Sequence, residues 1–273
     1  MMESHGAESY RVEYTDEAKR FLYRRRATTH AAFFLPYLQP GMRLLDCGCG
    51  PGSITVDLAA IVAPAEVVGV DHDPAQLELA RHHAERKGAT NIRFEQGDVR
   101  QLPYEDQSFD AVFVHGVIEY LPNPVQAFEE IRRVLKDSGV LGTRHSDWGN
   151  FLFSPATSAT NRFFELFQQY MRHCGGEPEF GRHQLAAIRA AGFVHIKPSA
   201  SCDCWTTEPE LTKFVANFLA TYCLSPEFAG PLTQLNLAPA DELQTISEAL
   251  RWWGEDADAF AAEPWGEAVA WRS

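Results

Sequence analysis

Three glycines at alternate positions follow a short apolar run and an acid, a combination suited to binding a nucleotide-type ligand. The acid is Asp46, and the glycines are Gly48, Gly50 and Gly52. Glycine lacks a Cβ atom, so the backbone can adopt unusual φ and ψ values and a ligand can approach it closely. A helical pattern begins at Ser53, which places free N–H groups and the positive end of a helix dipole beside the loop. The loop is therefore a candidate nucleotide-type site.

Further polar residues end the apolar segments that follow the loop. Asp71 comes roughly 20 residues after it, the spacing at which an acid contacts a ribose, and its carboxylate can accept hydrogen bonds from both ribose hydroxyls. Asp98 ends the next apolar segment, and His115 and Gly116 end the one after that. If these segments are neighbouring parallel strands, their ends meet at one edge of the sheet and form one site.

Two cofactor classes use a glycine loop of this kind. A dinucleotide fingerprint is G-x-G-x-x-G/A, in which the third small residue allows close packing of the helix. Ser53 stands at that third position, whereas Gly52 completes the pattern G-x-G-x-G. A nicotinamide-dependent oxidoreductase is thus the less favoured of the two interpretations.

The elements that must position these residues alternate regularly in the first half of the chain. Asp73-Pro74 and Asn123-Pro124 have the residue types that cap a helix and begin its first turn, and Gln76 is expected to complete a capping box. Short strands that alternate with helices form a parallel sheet covered on both faces. Five such strands, with two more near the C-terminus, predict an α/β fold with a doubly wound, mostly parallel sheet of seven strands.

The second half of the chain has a different pattern. Aromatic residues recur at helical spacing between residues 151 and 180, and helical patterns also cover 209–224 and 241–253. Strands are predicted over 193–205 and 267–271. We expect this half to complete the sheet and to add a helical cap beside the binding site.

The predicted organisation has three parts. Residues 1–40 form an N-terminal helical segment that covers the binding site, with a loose arm followed by a helix from Thr15 to about Phe34. Residues 41–150 form the binding core. Residues 151–273 supply the remainder of the sheet and the cap.

Composition excludes several classes of partner. The chain has 24 Lys plus Arg against 37 Asp plus Glu, a formal net charge of −13, which argues against a nucleic acid or an anionic membrane because phosphate contacts need clustered cations. No apolar run approaches the length of a membrane helix, and the N-terminus lacks the pattern of a secretory signal. The six cysteines lack the C-x₂-C spacing of zinc sites. We therefore expect a cytoplasmic protein with no metal site; its oligomeric state stays open.

The ordered motifs resemble those of the class I S-adenosylmethionine-dependent methyltransferases, in particular the small-molecule branch of ubiquinone and menaquinone biosynthesis. The resemblance covers roughly residues 25–146. Its matching segments are 45–52, 68–71, 97–99, 102–112, 115–122 and 131–140. Cys47 stands where valine or isoleucine is usual, and Asp-Ser-Gly at 137–139 where Pro-Gly-Gly is usual; neither departure should harm cofactor binding.

The resemblance implies two groups of S-adenosylmethionine contacts. At the methionine end, Asp46 is expected to contact the amino group, and Gly48, Gly50 and Gly52 are expected to line the methionine part of the cofactor. Arg26 (with Arg25 or Thr28 as alternatives) is expected to contact the carboxylate. His115 and Gly116 are expected to lie below the sulfonium. Those at the adenosine end are Asp71 for the ribose, His72 beside the adenine, Asp98 for its amine, and Gly97 and Val99 in the motif that packs on the ring.

The chemistry that this resemblance implies is an in-line displacement, in which positioning supplies much of the catalysis. An acceptor that must lose a proton also needs a general base. His145, which has a suitable unperturbed pKa, and Asp147 follow the fifth predicted strand and are the candidates. The aromatic second half suggests a small apolar or aromatic acceptor. The alternative is a methyltransferase-like protein that binds the cofactor without transferring a methyl group, as a cyclase, a lyase or a non-catalytic partner.

Overall fold

The computed structural model describes residues 21–273, in which an eight-stranded sheet carries helices on both faces. The predictions for residues 1–20, which are the loose arm and the start of a helix at Thr15, lie outside the described residues. No helix in the described part of the chain is both long enough and apolar enough to cross a membrane.

The strands of the sheet follow the alternation predicted from the sequence. They are β1 (Leu44–Cys47), β2 (Val67–Asp71), β3 (Ile92–Gln96), β4 (Phe109–His115), β5 (Leu135–Ser146), β6 (Leu152–Ser154), β7 (His195–Cys204) and β8 (Phe260–Trp271). The order β3-β2-β1-β4-β5 is parallel throughout, and β8 runs antiparallel beside β5. The carboxyl ends of β1 to β5 therefore meet at one edge, as a doubly wound sheet requires.

The C-terminal strand is longer than its pattern suggested and joins three neighbours. Residues 265–271 of β8 pair with β5, residues 260–262 pair with the short strand β6, and β7 pairs along the opposite edge. The expected seven strands are present. The eighth strand, β6, pairs with β8 on the same side as β5. The last strand, predicted from Glu267, begins at Phe260 instead and includes Pro264 and Gly266, residue types that disfavour a strand.

The helices are α1 (Ala27–His30), α2 (Ser53–Val62), α3 (Pro74–Lys87), α4 (Pro124–Val134), α5 (Ser158–His173), α6 (Phe180–Ala190), α7 (Pro209–Cys223), α8 (Pro226–Gln234) and α9 (Ala240–Trp253). The helix predicted up to Phe34 is interrupted, since Arg26 is extended and α1 ends at His30. The Ala27 N–H donates to Asp57 Oδ2 at 3.0 Å. That bond anchors the start of α1 on α2.

Both faces of the sheet are packed with aromatic and aliphatic side chains. On one face, Phe34 stacks on Phe113 of β4 with ring centroids 5.8 Å apart. On the other, Phe128 of α4 stacks on Phe180 of α6 at 6.4 Å. Helices α5, α7, α8 and α9 enclose a separate cluster rich in aromatic residues, which corresponds to the predicted helical cap. The three-part division at residues 40 and 150 stays a prediction.

Candidate active site

The three glycines of the loop between β1 and α2 differ in what surrounds them. All have positive φ, from +52° to +75°. A Cβ atom on Gly48 would overlap the side chain of Val117, and one on Gly52 would lie 3.0 Å from Ala80. A Cβ atom on Gly50 would approach only Gln76 Oε1, at 3.9 Å. Gly48 and Gly52 therefore permit packing of the protein, whereas Gly50 leaves open space for a ligand.

Asp71 connects the end of β2 to the glycine loop. Its Oδ2 accepts from the Gly50 N–H at 2.9 Å, and its Oδ1 accepts from the Asp73 N–H at 3.0 Å. The side chain is buried. Each carboxylate oxygen can accept a further hydrogen bond, so the group can hold the loop and still accept from ribose hydroxyls.

Asp46 is a buried acid at the other side of the loop. Its Oδ2 accepts from the Thr55 hydroxyl at 2.6 Å. Burial raises the pKa of Asp46 to about 7; the Thr55 hydrogen bond opposes this rise, and the charge of Asp71 adds to it. A ligand with a positive group at this point would offset the cost of the buried charge.

Gln76 lies beside the glycine loop, whereas sequence reasoning assigned it to the cap of a helix. Its side chain does not complete the predicted capping box; Asp73 alone caps α3, by accepting from the Ala75 N–H at 2.8 Å. Gln76 is 1% exposed, and within residues 21–273 neither the oxygen nor the nitrogen of its amide has a hydrogen-bond partner. An unpaired buried amide beside the open face of Gly50 is an unfilled polar contact, which a polar ligand would satisfy.

The residues predicted to surround an adenine lie beyond Asp71. The Gly97 N–H donates to the Asp71 carbonyl at 3.0 Å, and Val99 is buried. His72 is largely exposed, and its Nδ1 lies 3.4 Å from Asp71 Oδ1. The hydrogen bond to Asp71 raises the pKa of His72. The structure thus brings the predicted adenosine contacts to one edge of the sheet.

Asp98 is in this group but is already paired. The Arg100 guanidinium donates to both carboxylate oxygens, with its Nη2 2.6 Å from Oδ2. The same hydrogen bonds lower the pKa of Asp98. An adenine amine would have to share this carboxylate with Arg100.

The carboxyl end of β4 forms a second surface of the site; a Cβ atom on Gly116 would fit there without overlap, and we call this side of the residue the open face of Gly116. Gly116 has φ +65°, and a Cβ atom there would lie 3.7 to 3.9 Å from Arg25 Nη1, Glu119 Oε1 and the Trp265 ring. His115 beneath it is buried and accepts from Arg144 Nη1 at 2.8 Å through Nε2, because a guanidinium can only donate. Burial, with Arg25 and Arg144 nearby, lowers the pKa of His115 well below its usual value. The neutral ring therefore carries its proton on Nδ1, which has no hydrogen-bond partner in the described part of the chain.

Arg25 lies at this surface, whereas Arg26 does not reach it through any described contact. The Arg26 guanidinium donates to the carbonyls of Tyr23 and Arg25 at 3.1 and 3.3 Å. The Arg25 guanidinium lies 5.8 Å from the Trp265 ring, with no hydrogen bond or ion pair to any residue in the range 21–273. Arg25, one of the alternatives considered from the sequence, thus has a guanidinium that no residue in the range 21–273 occupies.

His145 is not positioned as the expected general base. It is fully buried, with Nδ1 2.6 Å from Glu119 Oε2 and Nε2 2.7 Å from the Thr143 hydroxyl. The rings of Phe128 and Phe180 pack on it at 6.4 and 5.1 Å. Because both nitrogens are occupied and neither is accessible, His145 is a structural residue that holds Glu119.

Asp147 is also unsuited to the role predicted for it. Its two oxygens accept from Nε and Nη2 of Arg182 in a bidentate pair, and its side chain is buried. Such a bidentate pair occupies both oxygens of the carboxylate. The sequence did not reveal this pairing, because Arg182 lies 35 residues away in α6.

A buried arginine organises the polar groups beneath the second surface. Arg144 of β5 donates to Asp203 of β7 at 2.8 Å and to Glu267 of β8 at 3.2 Å. The Trp265 ring lies 4.3 Å from its guanidinium carbon. Sequence reasoning missed this cluster because its members meet only through the pairing of β5, β7 and β8.

An aromatic cluster borders this surface. Phe21 lies 5.2 Å from Trp205 and stacks on Phe218 at 5.7 Å. Trp205 also lies 4.8 Å from Phe151. We call the following residues the aromatic cap: Trp148, Phe151, Phe153, Phe164, Phe167 and Trp205. The buried Nε1 of Trp148 has no hydrogen-bond partner among the residues that the structure describes.

Comparison with known proteins gives a consistent result. A family model described as a methyltransferase domain matches residues 38–178. The chain is 30% identical to the probable methyltransferase ltbC of Aspergillus luteorubrus over 97% of both sequences. It is also 30% identical to the uncharacterized methyltransferase C1B3.06c of Schizosaccharomyces pombe over 85% of both.

Solved structures agree on the fold. The YcgJ protein of Bacillus subtilis superposes with a TM-score of 0.58 at 17% identity, covering 90% of this chain and 99% of that protein. The open glycine, the ribose-type acid and the unpaired buried amide fit an adenosyl cofactor. The resemblance to the ubiquinone and menaquinone branch stays a prediction. The chain belongs to the class I S-adenosylmethionine-dependent methyltransferases.

Proposed function

We propose that this methyltransferase acts on a small apolar or aromatic acceptor, which binds between the Gly116 surface and the aromatic cap. The observation that carries the proposal is that the Gly116 surface and the aromatic cap adjoin each other along β8. The open face of Gly116 is bordered by Trp265, and the aromatic cap is reached along the same face of β8 through Ala261. An apolar wall beside a few polar groups is typical of small-molecule sites.

The cofactor contacts that we propose follow from the open and unpaired groups. Asp71 binds the ribose hydroxyls, and the Gln76 amide satisfies its buried oxygen and nitrogen on the bound ligand. Asp46 faces the amino group, and Arg25 rather than Arg26 pairs with the carboxylate. A carboxylate is the natural partner of a guanidinium that forms no ion pair within residues 21–273.

The role of the protein in the reaction is to position the reactants and exclude water. When bound, the cofactor supplies an electrophilic methyl carbon on a sulfonium. His115 stays uncharged below this point, because burial and the neighbouring arginines lower its pKa, so it does not repel the positive sulfur. Trp265 and the aromatic cap limit the approach of the acceptor, which favours an in-line geometry.

The remaining expectations concern partners and location. The net charge of −13 supports a small molecule rather than a nucleic acid as acceptor. No disulfide joins any two of the six cysteines, all of which lie in the described part of the chain, which supports the expected cytoplasmic location because disulfides are rare in reducing compartments.

The test is methyl transfer from isotopically labelled S-adenosylmethionine to a panel of aromatic and aliphatic compounds with hydroxyl, amine or thiol groups. We expect label in an aromatic or apolar product, and none with Asp71→Ala at cofactor concentrations that saturate the wild type. Transfer only to charged, strongly polar acceptors would contradict the proposed acceptor class. Binding of S-adenosylhomocysteine without transfer to any compound would favour the non-transferring alternative.

A further inference from the structure

Glu263 of β8 is a buried carboxyl group for which the packing of the protein gives no partner. Its side chain is 3% exposed. No hydrogen bond or ion pair joins its carboxyl group to another residue in the described range 21–273. Buried acids are normally paired or hydrogen-bonded, because an isolated buried charge is costly. An acid at this degree of burial is neutral in the free protein unless a positive group approaches it, so Glu263 is a candidate contact for a positively charged ligand.

The position of Glu263 in β8 places it between the two surfaces of the proposed site. Alternate residues of a strand share one face of the sheet, so Ala261, Glu263 and Trp265 lie in a row, each about 7 Å from the next. Ala261 packs in the aromatic cluster. Trp265 borders the open face of Gly116. Glu263 thus lies between the surface assigned to the methyl donor and the one assigned to the acceptor.

Four charged residues surround this carboxyl group. Asp203 lies opposite it in the register of β7 and β8, and Glu119 approaches from the segment after β4. Burial raises the pKa of Glu263 well above its usual value, with the negative charges of Asp203 and Glu119 adding to the rise. Arg25 and Arg144 oppose it. A further positive charge near Gly116 would favour the ionised form.

We propose that Glu263 is the general base of the reaction and that the acceptor is an aromatic compound with a hydroxyl group. The inference rests on the proposed function, because it needs a methyl donor at Gly116. A hydroxyl must lose its proton as it is methylated, whereas a neutral amine can react through its lone pair and lose its proton later to water. A carboxyl group buried beside aromatic side chains is suited to accept the proton of an aromatic hydroxyl group.

The proposed step balances in atoms and charge. The hydroxyl oxygen of the acceptor attacks the methyl carbon and forms the new C–O bond. The C–S bond breaks with its electron pair on sulfur, and the hydroxyl proton moves to a carboxylate oxygen of Glu263. A carboxylate and a sulfonium are consumed, and a neutral acid and a neutral thioether remain. Loss of two opposite charges is favourable in a buried site.

The test compares Glu263→Gln with the wild type on 4-methylphenol and 4-nitrophenol. The first stays protonated at neutral pH, and the second ionises without help. We expect the variant to lose kcat/KM for 4-methylphenol by about 100-fold or more, and for 4-nitrophenol by less than about tenfold. The pH profile of the variant should follow the ionisation of the phenol alone.

Two measurements besides activity separate a catalytic from a structural role. Affinity for S-adenosylhomocysteine and thermal stability should both be retained in Glu263→Gln, because the change removes no hydrogen bond among residues 21–273. Glu267→Gln is the matched control on the same face of β8. Glu267 accepts from Arg144, Ser199 and Ser201, so this variant should lose stability and keep the wild-type ratio between the two phenols.

The outcomes are distinguishable. Equal losses for both phenols, or no loss for either, would overturn the role of Glu263. Failure of the wild type to methylate either phenol, with S-adenosylhomocysteine still bound, would overturn the hydroxyl acceptor and leave the cofactor site intact. Failure of the wild type to bind S-adenosylhomocysteine would instead contradict the site on which the inference rests.

Discussion

His145 Nδ1 lies 2.6 Å from Glu119 Oε2, and both side chains are buried. The pair joins the end of β5 to the segment after β4, and the same carboxylate accepts from the Ser146 N–H at 3.3 Å. Glu119 Oε1 also lies beside the open face of Gly116. The pair therefore fixes the position of Glu119, which borders the site.

Replacing His145 tests this structural role. We expect His145→Ala to reduce the free energy of unfolding by roughly 2–4 kcal/mol, because it leaves a buried carboxylate without its partner and opens a cavity. Chemical denaturation measures this loss. A variant with full stability and no methyl transfer would instead support His145 as the base.

The glycine loop gives a matched pair of variants. Gly50→Ala and Gly48→Ala both place a side chain at positive φ, at a similar cost of about 1 kcal/mol. In Gly48→Ala the new methyl group also meets Val117, so this variant should be much less stable. Gly50→Ala should fold and bind S-adenosylhomocysteine at least about tenfold more weakly, because its Cβ occupies ligand space. Calorimetric binding and thermal denaturation separate the two effects; unchanged affinity in Gly50→Ala would contradict the ligand surface.

Asp46 predicts a pH dependence of cofactor binding. Its pKa in the folded protein is about 7, and a positive amino group binds better to the ionised form. Affinity for S-adenosylhomocysteine should therefore rise with pH up to about 7, by at most about tenfold per pH unit, and then level off. Asp46→Asn should remove this dependence. Affinity that falls over the same range would contradict the contact.

Ionisation of Asp46 lowers the stability of the free protein, whereas it raises the affinity for the cofactor. Because folding raises the pKa of Asp46, its neutral form favours the fold below about pH 4, and this contribution is lost as pH rises to about 7. Asp46→Asn should therefore raise the melting temperature of the free protein at pH 8. A lower melting temperature would show that another group stabilises the charge.

The two arginines before α1 are distinguished by binding. Arg25→Ala should weaken S-adenosylhomocysteine by about tenfold, the size of a partly exposed charge-assisted contact. It should leave 5′-methylthioadenosine unaffected, because that ligand lacks the carboxylate. Arg26→Ala should change neither, since its guanidinium bonds to Tyr23 and Arg25 carbonyls. Weaker binding of S-adenosylhomocysteine by Arg26→Ala, with unchanged binding by Arg25→Ala, would instead support Arg26 as the contact of the carboxylate.

Local patterns were sufficient for much of the fold and for the identity of the methyl donor. The apolar segments and the caps at Asp73 and Asn123 predicted the parallel strands and their order of appearance, because hydrophobic periodicity and capping act within a few residues. Gly50 and Asp71 were predicted as cofactor contacts in the same way, since each lies at or just after the end of a predicted strand; their contacts with the cofactor stay predictions. Gln76 was misassigned, because its type suits both a cap and a ligand contact.

The sequence by itself thus determined the methyl donor, its loop and the sheet that carries them. The tertiary structure decided which polar residues are accessible and which are already paired. His145 and Asp147 carry suitable groups, but partners in distant elements, Glu119 and Arg182, occupy them. Glu263 showed no motif and became a candidate only through the pairing of β8. Hydrogen bonding and burial depend on which strands and helices become neighbours, and one-dimensional spacing does not contain that information.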